Sequence, residues 1–282
     1  MVEVPETDDA ALASHPTIYA VDAYAGRTVL VSGGAGGLGR ACGWLLGRLG
    51  ARIILTGRNA EKLEAAAAAM RGRGLDAHWR EVDIRDADSV AALYAWLEAQ
   101  ELKIDALINS AGGQFPQAAI DFSEKGWNTV VNTNLNGTWR MIQGAARGWR
   151  ARGAPGAIVN IVVVTRQGLY GVAHTVAARA GVIALSENLA VEWAPLKIRV
   201  NCIAPGAIAT PGWRVYQPEQ RATYARSNPM LRAGDAWEVA EACAYLAGPG
   251  AEYVTGETLH VAGGAQVWGE TWTVPRPDYF RT

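Results

Sequence analysis

Residues 32–39, with the sequence SGGAGGLG, have the composition of a phosphate-binding loop. Glycine lets the backbone turn tightly and approach a pyrophosphate, which can then accept hydrogen bonds from the free N–H groups of a following helix. Between a strand and a helix such a loop predicts a dinucleotide site, and a purely structural turn is the alternative. The expected contacts come from Ser32, Gly33, Gly37, Leu38 and Gly39.

A second chemical signal follows about twenty residues later, in the sequence Gly57-Arg58-Asn59. A carboxylate at this point would bond the ribose 2′-OH of NAD, whereas a basic residue accommodates the 2′-phosphate of NADP. Arg58, with Arg40 as a candidate second cation, therefore predicts NADP(H) as the cofactor. A solvated surface arginine is the alternative interpretation of Arg58.

Several other kinds of chemistry lack the residues they need. The three cysteines lie far apart outside any CxxC, and the four histidines are scattered, so we predict neither a zinc site nor a disulfide framework. A formal net charge of −1 gives no reason to expect nucleic acid or an anionic membrane as partner. No apolar stretch reaches the roughly 18–20 residues that span a bilayer. The N-terminus lacks the positive start of a signal peptide, so we expect a cytoplasmic protein.

Short apolar runs alternate with amphipathic helices from residue 27 to about residue 263. This order predicts parallel strands with right-handed crossovers, that is, an α/β fold with one doubly wound parallel sheet (Rossmann fold) and helices on both faces. The predicted strands are 28–32, 52–56, 79–83, 106–109, 157–164, 198–203 and 258–261. The predicted helices are 38–49, 60–71, 88–100, 123–150, 175–194 and 236–246.

No linker interrupts this alternation, so we predict one domain over residues 26–282. Residues 1–25 are expected to form a loose N-terminal leader. Residues 211–232 contain three prolines and no clear periodicity, and a long irregular segment inside a compact domain is typical of a functional lid. We therefore predict a substrate lid there.

Five motifs together resemble those of the short-chain dehydrogenase/reductase family over nearly the whole chain. The glycine loop is similar to its TGxxxGxG, with serine for threonine, and residues 109–112 (NSAG) are similar to its NNAG. Asp83-Ile84 resembles its adenine-contacting Asp-Val pair, and Asn134 matches its helix asparagine. Residues 205–210 resemble a loop that contacts the nicotinamide amide. The resemblance implies cofactor contacts from Asp83, Ile84, Asn109, Ala111, Gly112, Pro205, Gly206, Ile208 and Thr210.

The resemblance fails at the residues that perform the family's alcohol chemistry. Aligned on residues 180–182, the chain has Thr175 for the acid/base tyrosine, Arg179 for the lysine four residues later, and Val162 for the serine thirteen residues earlier. A threonine hydroxyl is too weak an acid to protonate a developing alkoxide, and valine donates no hydrogen bond. An ordinary alcohol dehydrogenase is therefore disfavoured.

A narrower resemblance covers roughly residues 28–275. Residues 112–115 (GGQF), 126–127 (GW), 164–165 (VT) and 174–181 (HTVAARAG) are similar to the trans-2-enoyl-CoA reductase branch, and 2,4-dienoyl-CoA reductases also have a small hydroxyl residue in place of the tyrosine. This implies NADPH-dependent reduction of an enoyl thioester, with CoA as the expected carrier. Hydride addition to Cβ leaves an enolate oxygen that needs hydrogen-bond donors rather than a phenolic acid.

On this interpretation Arg179 holds the nicotinamide ribose. Asn134, Thr165 and Thr175 are candidates to donate to the enolate oxygen or to orient a water there. His174 is a candidate proton donor, with a structural hydrogen bond at the helix start as its alternative. Tyr170 is a weaker candidate acid. The resemblance also implies a homotetramer paired through the helices that contain Asn134 and Thr175.

Two functions from other classes stay open at this stage. A non-redox cyclase or isomerase could keep the cofactor site as a scaffold, and the chain could be a non-catalytic NADPH-binding protein. Asn134 and the nicotinamide-side loop at residues 205–210 favour redox chemistry, since a scaffold has little need of both.

Overall fold

A computed structural model describes residues 3–166, 169–269 and 273–280 of the chain. Its centre is a seven-stranded parallel sheet with the order β3-β2-β1-β4-β5-β6-β9, which confirms the predicted doubly wound fold. The seven strands are β1 Thr28–Ser32, β2 Arg52–Gly57, β3 Ala77–Glu81, β4 Ala106–Asn109, β5 Gly156–Ile161, β6 Ile198–Pro205 and β9 Thr258–Val261. Two short strands, β7 Ile208–Ala209 and β8 Gly234–Asp235, form a separate pair.

Helices cover both faces of the sheet. In chain order they are α1 Asp9–Ser14, α2 Gly37–Arg48, α3 Ala60–Arg71, α4 Ala87–Ala99, α5 Glu124–Val131, α6 Thr138–Arg152, α7 Ala173–Glu192, α8 Pro218–Arg221 and α9 Ala236–Ala247. No helix of the described residues is long and apolar enough to cross a membrane.

Strand β1 shows how the sequence builds two hydrophobic layers. Val29 and Val31 pack into the layer that contains α2, α3 and α9, whereas Leu30 packs into the layer that contains α4 and α6. All three are fully buried, as expected for a central parallel strand with both faces covered. The strand order reverses between β1 and β4, and this is the point at which doubly wound sheets bind ligands, beyond the carboxyl ends of the strands.

Several predicted boundaries differ from the structure, among them those of the third strand, the fifth strand and the helix 123–150. The third strand lies two residues earlier, since its edge position is set by pairing of Ala77 with Ile53 of β2. The fifth strand ends at Ile161 rather than at residue 164. The predicted helix 123–150 is interrupted by a π-helical turn at Asn132–Gly137, whose sequence NTNLNG is rich in poor helix formers. A π-helical turn inside a helix often marks a functional site.

The N-terminal segment is not loose, which corrects the expectation for the leader. The carboxylate of Asp9, at the start of α1, accepts hydrogen bonds from Arg40 and from the indole N–H of Trp44 on α2. Arg48 donates to the carbonyl oxygen of Leu12. The Trp237 indole of α9 donates to the carbonyl oxygen of residue 16. The segment is therefore attached to both helices.

Candidate active site

A cleft of about 470 Å³ opens at the carboxyl ends of β1, β2 and β4. Its walls come from the glycine loop, the ends of these strands, the π-helical turn and the start of the predicted lid. Ten of the predicted cofactor residues line it: Ser32, Gly33, Gly37, Leu38, Arg58, Asp83, Ile84, Ala111, Gly112 and Thr210. The sequence signals therefore converge on one cleft.

The floor of the cleft is glycine backbone, and there is no room for side chains at two of its positions. A Cβ on Gly33, whose φ is +74°, would lie 2.7 Å from the backbone nitrogen of Ala111, and a Cβ on Gly39 would collide with the carbonyl oxygen of Gly33. The Ser32 hydroxyl is buried here without a hydrogen-bond partner among the described residues. A cradle of bare backbone with an unpaired hydroxyl, at the start of α2, fits the pyrophosphate of a dinucleotide.

The β2–β3 end of the cleft carries charged side chains in contact with solvent. Arg58 is exposed there. Arg85 donates to both carboxylate oxygens of Asp83, with 2.6 Å between Nη2 and Oδ2, and this pairing holds the pKa of Asp83 below its usual value. Arg40, the candidate second cation, is paired with Asp9 instead. Arg58 and Arg85 are thus the arginines that line this end.

A cluster of buried polar side chains contacts the lining residues Ala111 and Gly112 from the side of α7, and we call it the α7 end of the cleft. Asn134 lies in the π-helical turn, and its Nδ2 donates to Thr175 Oγ1 at 2.6 Å and to the carbonyl oxygen of Gly113 at 3.0 Å. Its Oδ1 accepts from the Gly113 N–H at 3.0 Å. The amide of Asn134 has therefore used both its donors, whereas the Thr175 hydroxyl keeps its own hydrogen for a ligand.

Arg179 completes this end from one helical turn after Thr175. It is 6% exposed, and its Nη2 donates to the carbonyl oxygen of Ala111 at 3.1 Å. A Cβ on Gly112 would collide with Nη2, so a larger residue there would displace this guanidinium. Burial lowers the pKa of Arg179 to about 10, which leaves it charged at neutral pH. Nη1 has no partner in the described part of the chain and is available to a ligand.

Of the other three candidate residues, His174 borders this cluster, whereas Thr165 and Tyr170 are not hydrogen-bonded to it in the described residues. His174 is fully buried between Phe115 and Phe122, and its Nδ1 accepts the Thr175 N–H at 2.7 Å. Burial lowers the pKa of His174, which favours the neutral ring, and the Nδ1 bond is of the structural kind named as its alternative. Its Nε2 is buried without a partner among the described residues. Thr165 is half-buried and makes no hydrogen bond with the cluster in the described residues, and Tyr170 is 91% exposed.

The remaining predicted cofactor residues surround the cleft without lining it. Asn109 Nδ2 donates to Asn160 Oδ1 of β5, a bond between neighbouring strands. Gly206 N donates to the Val261 carbonyl oxygen at the end of β9. Pro205 ends β6, and the side chain of Ile208 is buried in the core. Pro211 and Gly212, at the start of the predicted lid, also line the cleft. Outside the quoted motifs, the lining residues that were not predicted are Val82, Arg85 and Thr133, each of which adjoins a predicted site residue.

Comparison with known proteins agrees with this geometry. Residues 33–266 match a family described as enoyl-(acyl carrier protein) reductase. The chain is 36% identical over 246 residues to 3-oxoacyl-(acyl carrier protein) reductase FabG of Vibrio harveyi, covering 85% of this chain and 97% of that protein. It is 34% identical over 256 residues to the peroxisomal 2,4-dienoyl-CoA reductase of Arabidopsis thaliana, covering 86% of this chain and 85% of the relative.

Among solved structures, a variant of the actinorhodin polyketide ketoreductase with NADPH superposes with a TM-score of 0.80 at 31% identity, covering 86% of this chain and 98% of that one. A doubly wound sheet, a glycine cradle and relatives of this identity and coverage define the class. The chain belongs to the short-chain dehydrogenase/reductase family and is an oxidoreductase of that family.

Proposed function

We propose that this protein uses NADPH to reduce the C=C bond of an enoyl thioester. The observation that carries the proposal is the α7 end of the cleft, where a buried guanidinium and a threonine hydroxyl that accepts from Asn134 and keeps its own hydrogen stand in place of a phenolic acid. NADPH supplies the hydride when it is bound. Thr175 then offers its hydroxyl hydrogen to the oxygen that gains charge as Cβ receives the hydride.

Asn134 has a positioning role in this proposal. Its three hydrogen bonds to Gly113 and Thr175 fix the threonine oxygen as an acceptor, so that the threonine hydrogen points elsewhere. Arg179 adds a fixed positive charge in a poorly solvated site and holds the cofactor ribose through its unpaired Nη1. The proton for Cα comes from water.

The proposal of NADPH rather than NADH rests on the β2–β3 end of the cleft. No carboxylate follows β2 there, and Arg58 and Arg85 line the wall where a 2′-phosphate would lie. Arg85 is already paired with Asp83, so Arg58 is the arginine we expect to bind the phosphate. The two relatives, whose names refer to acyl carrier protein and CoA, support an acyl thioester as the substrate.

We further propose a homotetramer paired through α5, α6 and α7. Val191 on α7 is 78% exposed and Trp127 on α5 is 38% exposed. Such an assembly would cover both of these apolar side chains. Light scattering at several protein concentrations would measure the assembly, and a monomeric mass throughout would refute it.

The test of the proposed reaction is NADPH oxidation with crotonyl-CoA and with longer and cyclic enoyl-CoA thioesters, next to acetoacetyl-CoA as the ketone probe. We expect turnover with at least one enoyl thioester and a much lower rate with acetoacetyl-CoA. Faster ketone reduction would favour the ketoreductase activity in the names of two relatives. Tight NADPH binding with no oxidation would favour a non-redox enzyme or a binding protein.

A further inference from the structure

A second hydroxyl group is connected to the α7 end of the cleft from the side of the predicted lid. The Gln114 side-chain amide Nε2 donates to the phenol oxygen of Tyr216. Gln114 directly follows Gly113, the residue whose N–H and carbonyl oxygen both bond to Asn134. A continuous path therefore runs from the phenol through the loop to Asn134 and Thr175.

The lid backbone holds Tyr216 close to the cleft. Thr210 and Pro211 line the cleft, and one 3₁₀-helical turn, Pro211–Val215, leads from them to Tyr216. The Tyr216 N–H donates to the carbonyl oxygen of Trp213 at 3.1 Å, which anchors the end of this turn. The Tyr216 ring packs edge-on against Tyr224 with 5.6 Å between centroids. Packing on one side and a hydrogen bond on the other fix where the phenol points.

The phenol of Tyr216 still has its own hydrogen to donate. The Tyr216 oxygen accepts from Gln114, so its own O–H remains available. The other phenols with assigned partners are directed elsewhere: Tyr19 donates to Glu241, Tyr24 to Ala244 and Tyr94 to Met141, each at a carbonyl oxygen. Burial raises the pKa of Tyr216, which keeps it protonated at neutral pH.

We propose that Tyr216, oriented by Gln114, is a catalytic residue that donates a hydrogen bond to the thioester carbonyl oxygen of the substrate. This inference rests on the proposed enoyl-thioester reduction. Tyr216 supplies a phenol from the lid, whereas Thr175 supplies its hydroxyl from α7. The phenol keeps its proton throughout: the oxygen gains negative charge as Cβ takes the hydride, and Cα then takes a proton from water. Thr175 and Tyr216 act as a pair of donors to one oxygen.

The test compares Tyr216→Phe with Tyr224→Phe. Both keep the ring that packs in the lid, but Tyr224 makes no hydrogen bond with Gln114 in the described structure. We expect Tyr216→Phe to lower kcat/KM with the best enoyl thioester on the order of 100-fold, the usual loss for one donor to a developing oxyanion. Tyr224→Phe should stay near the wild-type value, and Gln114→Met should lie between the two.

A binding measurement separates a donor from a merely structural residue. Acetoacetyl-CoA is present partly as an enolate above neutral pH, and with NADP⁺ in the site it cannot be reduced. Calorimetry should show that Tyr216→Phe weakens its binding about 10-fold or more, since a hydrogen bond to a charged group is lost. The Tm and the NADPH Kd should not change.

The outcomes distinguish the two proposals. If the wild-type protein oxidises NADPH with an enoyl thioester and Tyr216→Phe keeps the full rate and the full acetoacetyl-CoA affinity, the role of Tyr216 is wrong and the proposed function stands. If the wild-type protein reduces no enoyl thioester, the proposed function is wrong and the role of Tyr216 is wrong with it.

Discussion

The two ends of the cleft each present an arginine, but in opposite surroundings. Arg58, at the β2–β3 end, is exposed, and its neighbours there are the ion-paired Asp83 and Arg85. Arg179, at the α7 end, is buried, donates to a backbone carbonyl oxygen and makes no ion pair within the described residues. Water and salt screen exposed charges much more than buried ones. The interaction energy of an arginine with a ligand should therefore be larger at the α7 end than at the β2–β3 end.

This difference separates recognition from chemistry. The β2–β3 end can distinguish a phosphate from a hydroxyl with flexible, solvated side chains, where a misplacement of the side chain costs little. The α7 end must hold donors in place while charge develops, and such preorganisation requires partners that cannot move. Asn134 satisfies that requirement, because all of its amide hydrogen bonds are made within the protein.

The largest effect is expected for Arg179→Met, which removes the buried charge while filling its space. The loss of charge-assisted hydrogen bonds, worth about 3 kcal/mol, should weaken NADPH binding on the order of 100-fold. Fluorescence titration measures the Kd, and thermal unfolding checks that the fold is kept. Arg179→Lys, which keeps the charge without the planar fork, should lose less. An unchanged Kd in Arg179→Met would contradict the role given to the α7 end.

Thr175→Val tests the hydrogen bond to the enolate oxygen and leaves the charge of Arg179 in place. The two side chains have nearly the same shape, but valine cannot donate to the enolate oxygen and leaves Asn134 Nδ2 without this acceptor. We expect kcat with the best enoyl thioester to fall about 10- to 100-fold, toward the lower range for loss of one oxyanion donor because Tyr216 remains. NADPH affinity should be unchanged. Thr175→Ser restores the hydroxyl, and a variant as slow as valine would show that the hydroxyl is not what matters.

The elements that could be predicted are those determined by residues close together in the sequence. β1, β4 and β9 have the predicted limits because short apolar runs are bounded by polar or turn residues. The glycine loop could be located because its chemistry depends on the absence of side chains at fixed spacing. The pairing of Thr175 with Asn134 was also accessible, since both match positions of a known family pattern.

The parts that could not be predicted depend on distant partners. Arg40 pairs with Asp9, 31 residues earlier, instead of facing the cofactor cleft, and no local sequence pattern predicts this pairing. The interruption of the helix at the π-helical turn depends on tertiary packing as much as on the weak propensity of its asparagines. The hydrogen bond between Gln114 and Tyr216 joins residues 102 positions apart, so no local pattern in the sequence predicts it.

Arg58→Ala tests the β2–β3 end, and a smaller effect is expected there. An exposed arginine in contact with a phosphate should contribute about 1.4 kcal/mol, so the NADPH Kd should rise about 10-fold at low salt and less at high salt. The NADH Kd should stay constant, since NADH lacks the 2′-phosphate. Arg73→Ala, at an exposed arginine after α3, is the matched control. Equal losses for the two cofactors would show that Arg58 does not read the phosphate.

The smallest effect is expected for the contribution of the Asp83–Arg85 pair to the free energy of unfolding. This contribution depends on pH because folding shifts the pKa of Asp83. The pKa of Asp83 is lowered in the folded state, so the pair stabilises the protein at pH values above the unfolded-state pKa near 4. The contribution is lost as the pH falls through the lower folded-state pKa. Because the pair is partly exposed, we expect less than about 1 kcal/mol.

Urea unfolding of wild-type protein, Asp83→Asn, Arg85→Gln and the double variant, at pH 7 and in acid, isolates this pairwise energy. The coupling should be present at pH 7, shrink in acid and decrease with salt. A coupling that survives acid and salt would mean that Asp83 and Arg85 are shielded from solvent as Arg179 is. The β2–β3 end would then be as preorganised as the α7 end, and the proposed contrast between recognition and chemistry would not hold.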